Sequence, residues 1–235
     1  RLTFAIDSGY CDFLQLLFLL GAVPYVRRSQ VRFTAECHHS LERSHVSQGF
    51  GYKLGVDLPG EKRGLIPNAQ FYDKAYRGHW NGLTVISISI GQGEILSTPL
   101  QIANLGATIA NRGHFTTPHI VKEIQDAQLD SIYRHPRNTT IERRHYESVV
   151  EGMRAAATGG TCRMLSVMVP ELEACGKTGT AQNRGHDHSV FMGFAPMNQP
   201  KIAIAVYVEN GGWGATYGVP IGALMMEQYL SLIHI

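Results

Sequence analysis

Apolar residues recur at helical spacing in three stretches and alternate in one. After Thr98, the positions Ile102, Leu105, Gly106 and Ile109 keep the three-and-four spacing of a single buried face. Thr98 is placed to cap this helix, Pro99 to occupy its first position and Gln101 to complete a capping box. The helix is predicted to run to about Asn111, with Gly113 as its stop. Tyr146, Val149, Val150, Met153 and Ala157 predict a second helix, ended by Gly159-Gly160. A third is expected over Pro220 to Leu230, where Ile221, Leu224, Met225 and Tyr229 share an apolar face.

Strand patterning lies between the second and third helices. Ile202, Ile204, Val206 and Val208 alternate within Lys201 to Glu209, and Ser189 to Ala195 reads as the strand before it, across a turn at Pro196 to Pro200. The stretch Cys175 to Ala181 adds a third strand, and Gly211-Gly212-Trp213-Gly214 interrupts the chain before the last helix. Leu83 to Ile90 is an apolar, β-branched run that periodicity alone assigns to neither strand nor helix. Lys122 to Asn138 reads as a surface excursion, with short strands around Ile120 to Ile124. Together these elements predict an α+β fold, an antiparallel sheet covered by helices. Residues 1–48 show no sustained period, and organised sequence begins at Gly49, with turn chemistry from Gly55 to Glu61 and an extended exit at Leu65-Ile66-Pro67.

Composition narrows the function classes. With 44% hydrophobic and 17% charged residues, the 235-residue chain can bury a substantial core. A net charge of +2 with scattered basic residues argues against a nucleic-acid partner. Cys11, Cys37, Cys162 and Cys175 form neither a C-x-x-C pair nor a dense disulfide framework. The apolar run Phe13 to Val26, broken by Gln15, Gly21 and Pro24, falls short of the roughly 20 residues a spanning helix needs. Neither His186-Asp187-His188 nor Cys37-His38-His39 has the spacing of a zinc set, so no metal and no cofactor are expected.

Candidate chemistry concentrates in Cys175-Gly176-Lys177-Thr178-Gly179-Thr180-Ala181. Lys177 brings a positive charge and Thr178 and Thr180 bring hydroxyls to one strand, while Gly179 lets an extended ligand approach the backbone. A phosphate-binding loop is excluded, because the glycine it requires five residues before Gly176 is Glu171 here. Gly91-Gln92-Gly93 lacks the third glycine of a dinucleotide fingerprint, at Leu96, and reads as a structural turn. Gly159-Gly160-Thr161 reads as a helix terminus, and Trp80 and Trp213 as packing residues.

Five stretches then stand in order: Gly55-Val56-Asp57-Leu58-Pro59-Gly60-Glu61, Ser89-Ile90-Gly91-Gln92-Gly93, Thr98-Pro99-Leu100-Gln101, Val149-Val150-Glu151-Gly152-Met153 and Gly176-Lys177-Thr178-Gly179-Thr180-Ala181. In this register the chain resembles the C-terminal part of the transpeptidase domain of class B penicillin-binding proteins, most like the branch that serves cell elongation. The likeness covers about residues 49–230. It implies the β-lactamase/transpeptidase-like α+β fold, with helices on both sheet faces and incomplete in this chain. The implied activity is a serine-type D,D-transpeptidase acyltransferase that cross-links peptidoglycan stem peptides and is acylated by β-lactams. It also implies elongation-complex membrane proteins as partners, and an inner-membrane protein with a periplasmic domain. Carried over residue by residue, Lys177, Thr178, Gly179 and Thr180 form the substrate-binding strand, and the Thr180 amide is one oxyanion-hole donor.

The chain departs from the family pattern in one respect. Neither S-x-x-K nor S-x-N occurs in its 235 residues. Residues 1–48 are therefore expected to be a frame-shifted or divergent stretch, residues 49–230 the C-terminal part of the transpeptidase domain, and residues 231–235 a tail. The chain alone is expected to be inactive. Two other readings stay open: a non-catalytic carboxylate- or penicillin-binding module of the same fold, and a relative of serine β-lactamases.

Overall fold

A computed structural model describes residues 42–233 except 82, 83, 85, 86, 89, 90, 183 and 184. The expectations for residues 1–41 lie outside the described residues, as does most of the run from Leu83 to Ile90. Of that run, Thr84, Ser87 and Ile88 are described and helical, and Ile88 is buried.

In chain order the elements are α1 (Ala69–Tyr76), α2 (Pro99–Ala110), β1 (His114–Phe115), α3 (Ser131–Arg134), β2 (Arg137–Asn138), α4 (Arg143–Gly159), α5 (Met164–Met168), a 3-10 turn (Pro170–Leu172), β3 (Cys175–Ala181), β4 (His188–Ala195), β5 (Ile202–Val208) and α6 (Gly218–Ile233). β3, β4 and β5 form an antiparallel sheet in that order, and β1 and β2 pair separately. Lys177 stands opposite Met192, Thr178 opposite Phe191 and Thr180 opposite Ser189, while Phe191 faces Val206 on β5.

Both sheet faces carry a core. On one, α2 and α4 pack Leu105, Ile109, Val149, Val150 and Met153 against Cys175, Met192 and Phe194. On the other, α5 and α6 pack Leu165, Val219, Ala223, Met226 and Leu230 against Phe191, Ile204 and Val206. Phe191 fits because glycines surround it. A Cβ on Gly176 would come within 2.7 Å of its ring and one on Gly218 within 2.8 Å of its own Cβ, and Gly222 sits closer still.

Motifs that carry the family likeness outside β3 act as clamps. The Thr98 cap and Gln101 box form as the sequence predicts. The two protons of the buried Gln101 amide are shared among the carbonyls of Gly49, Tyr52 and Arg63 at 2.9–3.1 Å, tying three points of the 49–63 segment to α2. Glu61 accepts from the amides of Leu54, Gly55 and Val56, and Asp57 from those of Ile120 and Val121. Three carboxylate-to-amide bonds hold the Gly55–Glu61 turn closed, and the Asp57 bonds hold its carboxyl below the usual aspartate value.

Four expectations need correction. Ile221, Leu224, Met225 and Tyr229 do share a face of α6, but it is the outer one, each 39–54% exposed. The buried stripe is Val219, Ala223, Met226 and Leu230, where small residues let α6 approach Phe191. α6 also continues through residues 231–233, since nothing in Ser231-Leu232-Ile233 breaks a helix. The short strands fall at 114–115 and 137–138 rather than at 120–124, where an isolated bridge joins Ile124 and Ala127. Finally, residues 42–47 are helical, Ser44, His45 and Gln48 are buried, and the Asn104 amide of α2 donates to the Gln48 carbonyl; polar residues buried this way leave no apolar period. Among the described residues, no helix is long and apolar enough to cross a membrane.

Candidate functional site

β3 is an edge strand. It pairs with β4 on one side, and among the described residues no strand pairs with it on the other. Alternate backbone groups of an edge strand point away from its neighbour and are available to an extended ligand. Lys177, Thr178, Gly179 and Thr180 all lie on this strand, so the structure brings the predicted site residues together.

Register sets how the side chains are shared between the faces. Gly176, Thr178 and Thr180 alternate toward the α5/α6 side with their partners Gly193, Phe191 and Ser189, and Lys177 and Gly179 toward the α2/α4 side. Lys177 is half-buried, and its ammonium donates to the Thr178 carbonyl. Burial holds this amine below the usual lysine value, with the neighbouring Cys162 thiol acting in the opposite sense. No carboxylate among the described residues lies within ion-pairing distance of Lys177. A desolvated cation without a counter-ion is costly. An anionic ligand on this edge would relieve that cost.

Two further segments frame the strand. The turn at residues 160–163 carries the chain from α4 to α5 beside β3, and Thr161 Oγ1 lies 2.8 Å from Thr178 Oγ1. The loop from Gly211 to Tyr217 closes on the sheet near β3. Ser189 Oγ, fully buried, donates to the Trp213 carbonyl at 3.0 Å and accepts from the Gly218 amide at 3.2 Å. Gly214 presses on the strands, and a Cβ there would lie 2.6 Å from the Gly179 carbonyl and 3.0 Å from Thr178 Cβ. Sequence reasoning missed Thr161, Ser189 and Gly214. Thr161 carried the signal of a helix end, which it also is, since Gly160 caps α4.

Trp213 is not a packing residue; it is 78% exposed, because its backbone is spent on Ser189 and its ring stands outward from the loop. Trp80 does pack, against Tyr72, and its ring N–H donates to Asp73 at 2.7 Å. His188 Nδ1 accepts from the Asn210 amide, and among the described residues no group of three His, Cys, Asp or Glu side chains could hold a metal ion.

Comparison with known proteins identifies the family. The model of the penicillin binding protein transpeptidase domain matches residues 38–227, beginning inside the stretch where the sequence shows no pattern. The peptidoglycan D,D-transpeptidase MrdA of Acinetobacter baumannii is 36% identical over 189 residues, covering 72% of this chain and 28% of that protein. MrdA of Haemophilus influenzae is 30% identical over 204 residues, covering 78% of this chain and 31% of that one. The chain thus spans only about three tenths of the length of these curated relatives. Among solved structures, Pseudomonas aeruginosa PBP2 in complex with WCK 5153 superposes with a TM-score of 0.75 at 28% identity, over 95% of this chain and 58% of that one. Penicillin-binding protein 2 of Helicobacter pylori, in its complex with MreC, gives 0.73 at 26% identity, over 95% of this chain and 39% of that one. With the family model matching most of the chain and the fold in agreement, the chain belongs to the penicillin-binding protein transpeptidase domain family.

Proposed function

We propose that this chain is the C-terminal part of a D,D-transpeptidase domain of the penicillin-binding protein 2 type, and that β3 holds the donor stem peptide or a β-lactam by its carboxylate. The observation that carries this reading is the half-buried Lys177, with no carboxylate among the described residues within ion-pairing distance, beside two threonine hydroxyls on an open strand edge. Lys177 supplies the charge that draws the carboxylate. Thr178 and Thr180 donate to its oxygens. Gly179 lets the peptide backbone lie close, and the Thr180 amide is one of the fixed donors that stabilise the oxyanion.

Acyl transfer needs a serine to attack the carbonyl of the penultimate D-alanine and expel the terminal one, with a lysine taking the serine proton. The motif that supplies both, S-x-x-K, does not occur in these 235 residues. The chain on its own therefore binds without turning over. Fluorescent penicillin tests this: no covalent label is expected after denaturing electrophoresis of this chain, and a label stable to denaturation would overturn the claim. Residues 38–230 are the transpeptidase part, and the stretch before residue 38 is frame-shifted or divergent; translating the coding DNA in all three frames checks this, and S-x-x-K recovered upstream in another frame is the expected result.

The same absence favours a second reading, a non-catalytic carboxylate-binding module, if the intact coding sequence also lacks the motif. By likeness to the relatives, the parent acts in cell-wall synthesis and cell-shape maintenance, with its transpeptidase domain on the periplasmic side of the inner membrane. The Helicobacter pylori complex supports an elongation-complex membrane protein such as MreC as its partner.

A further inference from the structure

The hydroxyl pair at the rim of β3 contains one proton assignment that the ligand would dictate. Thr161 Oγ1 and Thr178 Oγ1 are 2.8 Å apart, and either oxygen can be the donor in the free protein. A hydroxyl has a single proton to give, and a carboxylate can only accept. If Thr178 gives its proton to Thr161, it presents lone pairs to the ligand and repels it. If Thr161 gives its proton to Thr178, the Thr178 proton is free to point at the carboxylate.

We infer that Thr161 is a positioning residue for the ligand carboxylate: its hydroxyl donates to Thr178 Oγ1 and so turns the Thr178 proton toward the ligand. Such a chain of aligned hydroxyls also polarises itself, strengthening the last bond. The inference rests on the carboxylate-binding reading of β3 given above.

Thr161 is held where this requires. The Gly160 and Cys162 amides both bond the Ala156 carbonyl at the end of α4, at 3.1 and 3.0 Å. A Cβ on Gly160 would lie 2.9 Å from the Ala156 Cα, so the turn can form this tightly only with glycine there. On the other side Cys162 and Leu165 are fully buried in the core between sheet and α6. Thr161 is the exposed residue between two anchors, and its hydroxyl also meets the buried Cys162 thiol, which can give its S–H to Thr161 Oγ1 and leave the Thr161 proton for Thr178.

The test uses the full chain and two probes, an acetylated tripeptide ending in D-alanyl-D-alanine and its C-terminal amide, titrated by NMR. The ratio of their affinities reads the carboxylate interaction alone. Thr161→Val, which keeps the shape and removes the donor, is expected to lower the acid-over-amide preference by about tenfold, the scale of one hydrogen bond to a charged group. Thr161→Ser should restore most of it, and the urea midpoint should stay unchanged in both variants. An unchanged preference in Thr161→Val, or a failure of serine to restore it, overturns the inference. Lys177→Met separates this from the parent reading: if it abolishes the preference while Thr161→Val does not, the site stands and the role of Thr161 falls. Equal affinity of the unsubstituted chain for acid and amide overturns both.

Discussion

Half-buried and without a carboxylate neighbour among the described residues, Lys177 is the group at the site whose charge depends most on its surroundings. Burial depresses its pKa from 10.5, and a bound carboxylate would raise it again. In the window between the free and bound values, binding takes up a proton, so affinity for the acid probe is expected to fall as pH rises through the depressed value. Calorimetric titrations in two buffers of different ionisation enthalpy measure that uptake; affinity that rises with pH would contradict it. The two described cysteines behave differently. Burial raises both thiols, Cys175 to about 12 and Cys162 in the same direction, and neither is exposed. Iodoacetamide at pH 8 should therefore spare both in the native chain and modify them in denaturant, as peptide mass mapping will show.

At the scale of elements, the site depends on what lies behind and beside β3. Gly214→Ala would push a methyl group into the Gly179 and Val190 carbonyls, so either the loop lifts or the strand moves. The expected result is a loss of acid-probe binding of about tenfold or more with only modest loss of stability, the usual scale of overpacking being about 1–3 kcal/mol. Gln101→Leu acts elsewhere. It removes the capping box and strands the carbonyls of Gly49, Tyr52 and Arg63, which should cost about 3 kcal/mol, read as a lower urea midpoint.

These elements also show what was legible in the chain. α2 and α4 could be read because cap, stop and apolar period coincide, and the five residues predicted for the inner face of α4 are the buried ones. β4 and β5 followed from alternation across a proline-bounded turn. The site strand was legible through its residue types, but its frame was not. Thr161 and Gly214 reach β3 across sequence separations of 17 and about 35 residues, and no local period marks such contacts. The inner stripe of α6 was hidden for a related reason. Its alanine and glycines score as weakly apolar, although their smallness is what the packing needs.

On the scale of the whole molecule, the described part has a core on each sheet face but leaves apolar surface uncovered. Leu224 and Met225 on α6 are 54% and 48% exposed, and Ile221 and Tyr229 extend the same stripe. Contiguous apolar patches drive self-association. The isolated chain is expected to be marginally stable and to associate with rising concentration, and Leu224→Glu with Met225→Lys should reduce that association. Sedimentation velocity over a concentration series checks it; a monomer at all concentrations would remove the argument.

The glycine-lined seat of Phe191 bears on where β3 stands. Gly176 touches that ring and immediately precedes Lys177, so the depth at which the ring sits sets where the ligand strand stands. Enlarging Gly218 or Gly222, on the far side of the ring, would move the strand without altering one residue that meets the ligand. On the carboxylate-binding reading of β3, α6 thus offers a route to altered ligand affinity that a survey confined to the cleft would overlook.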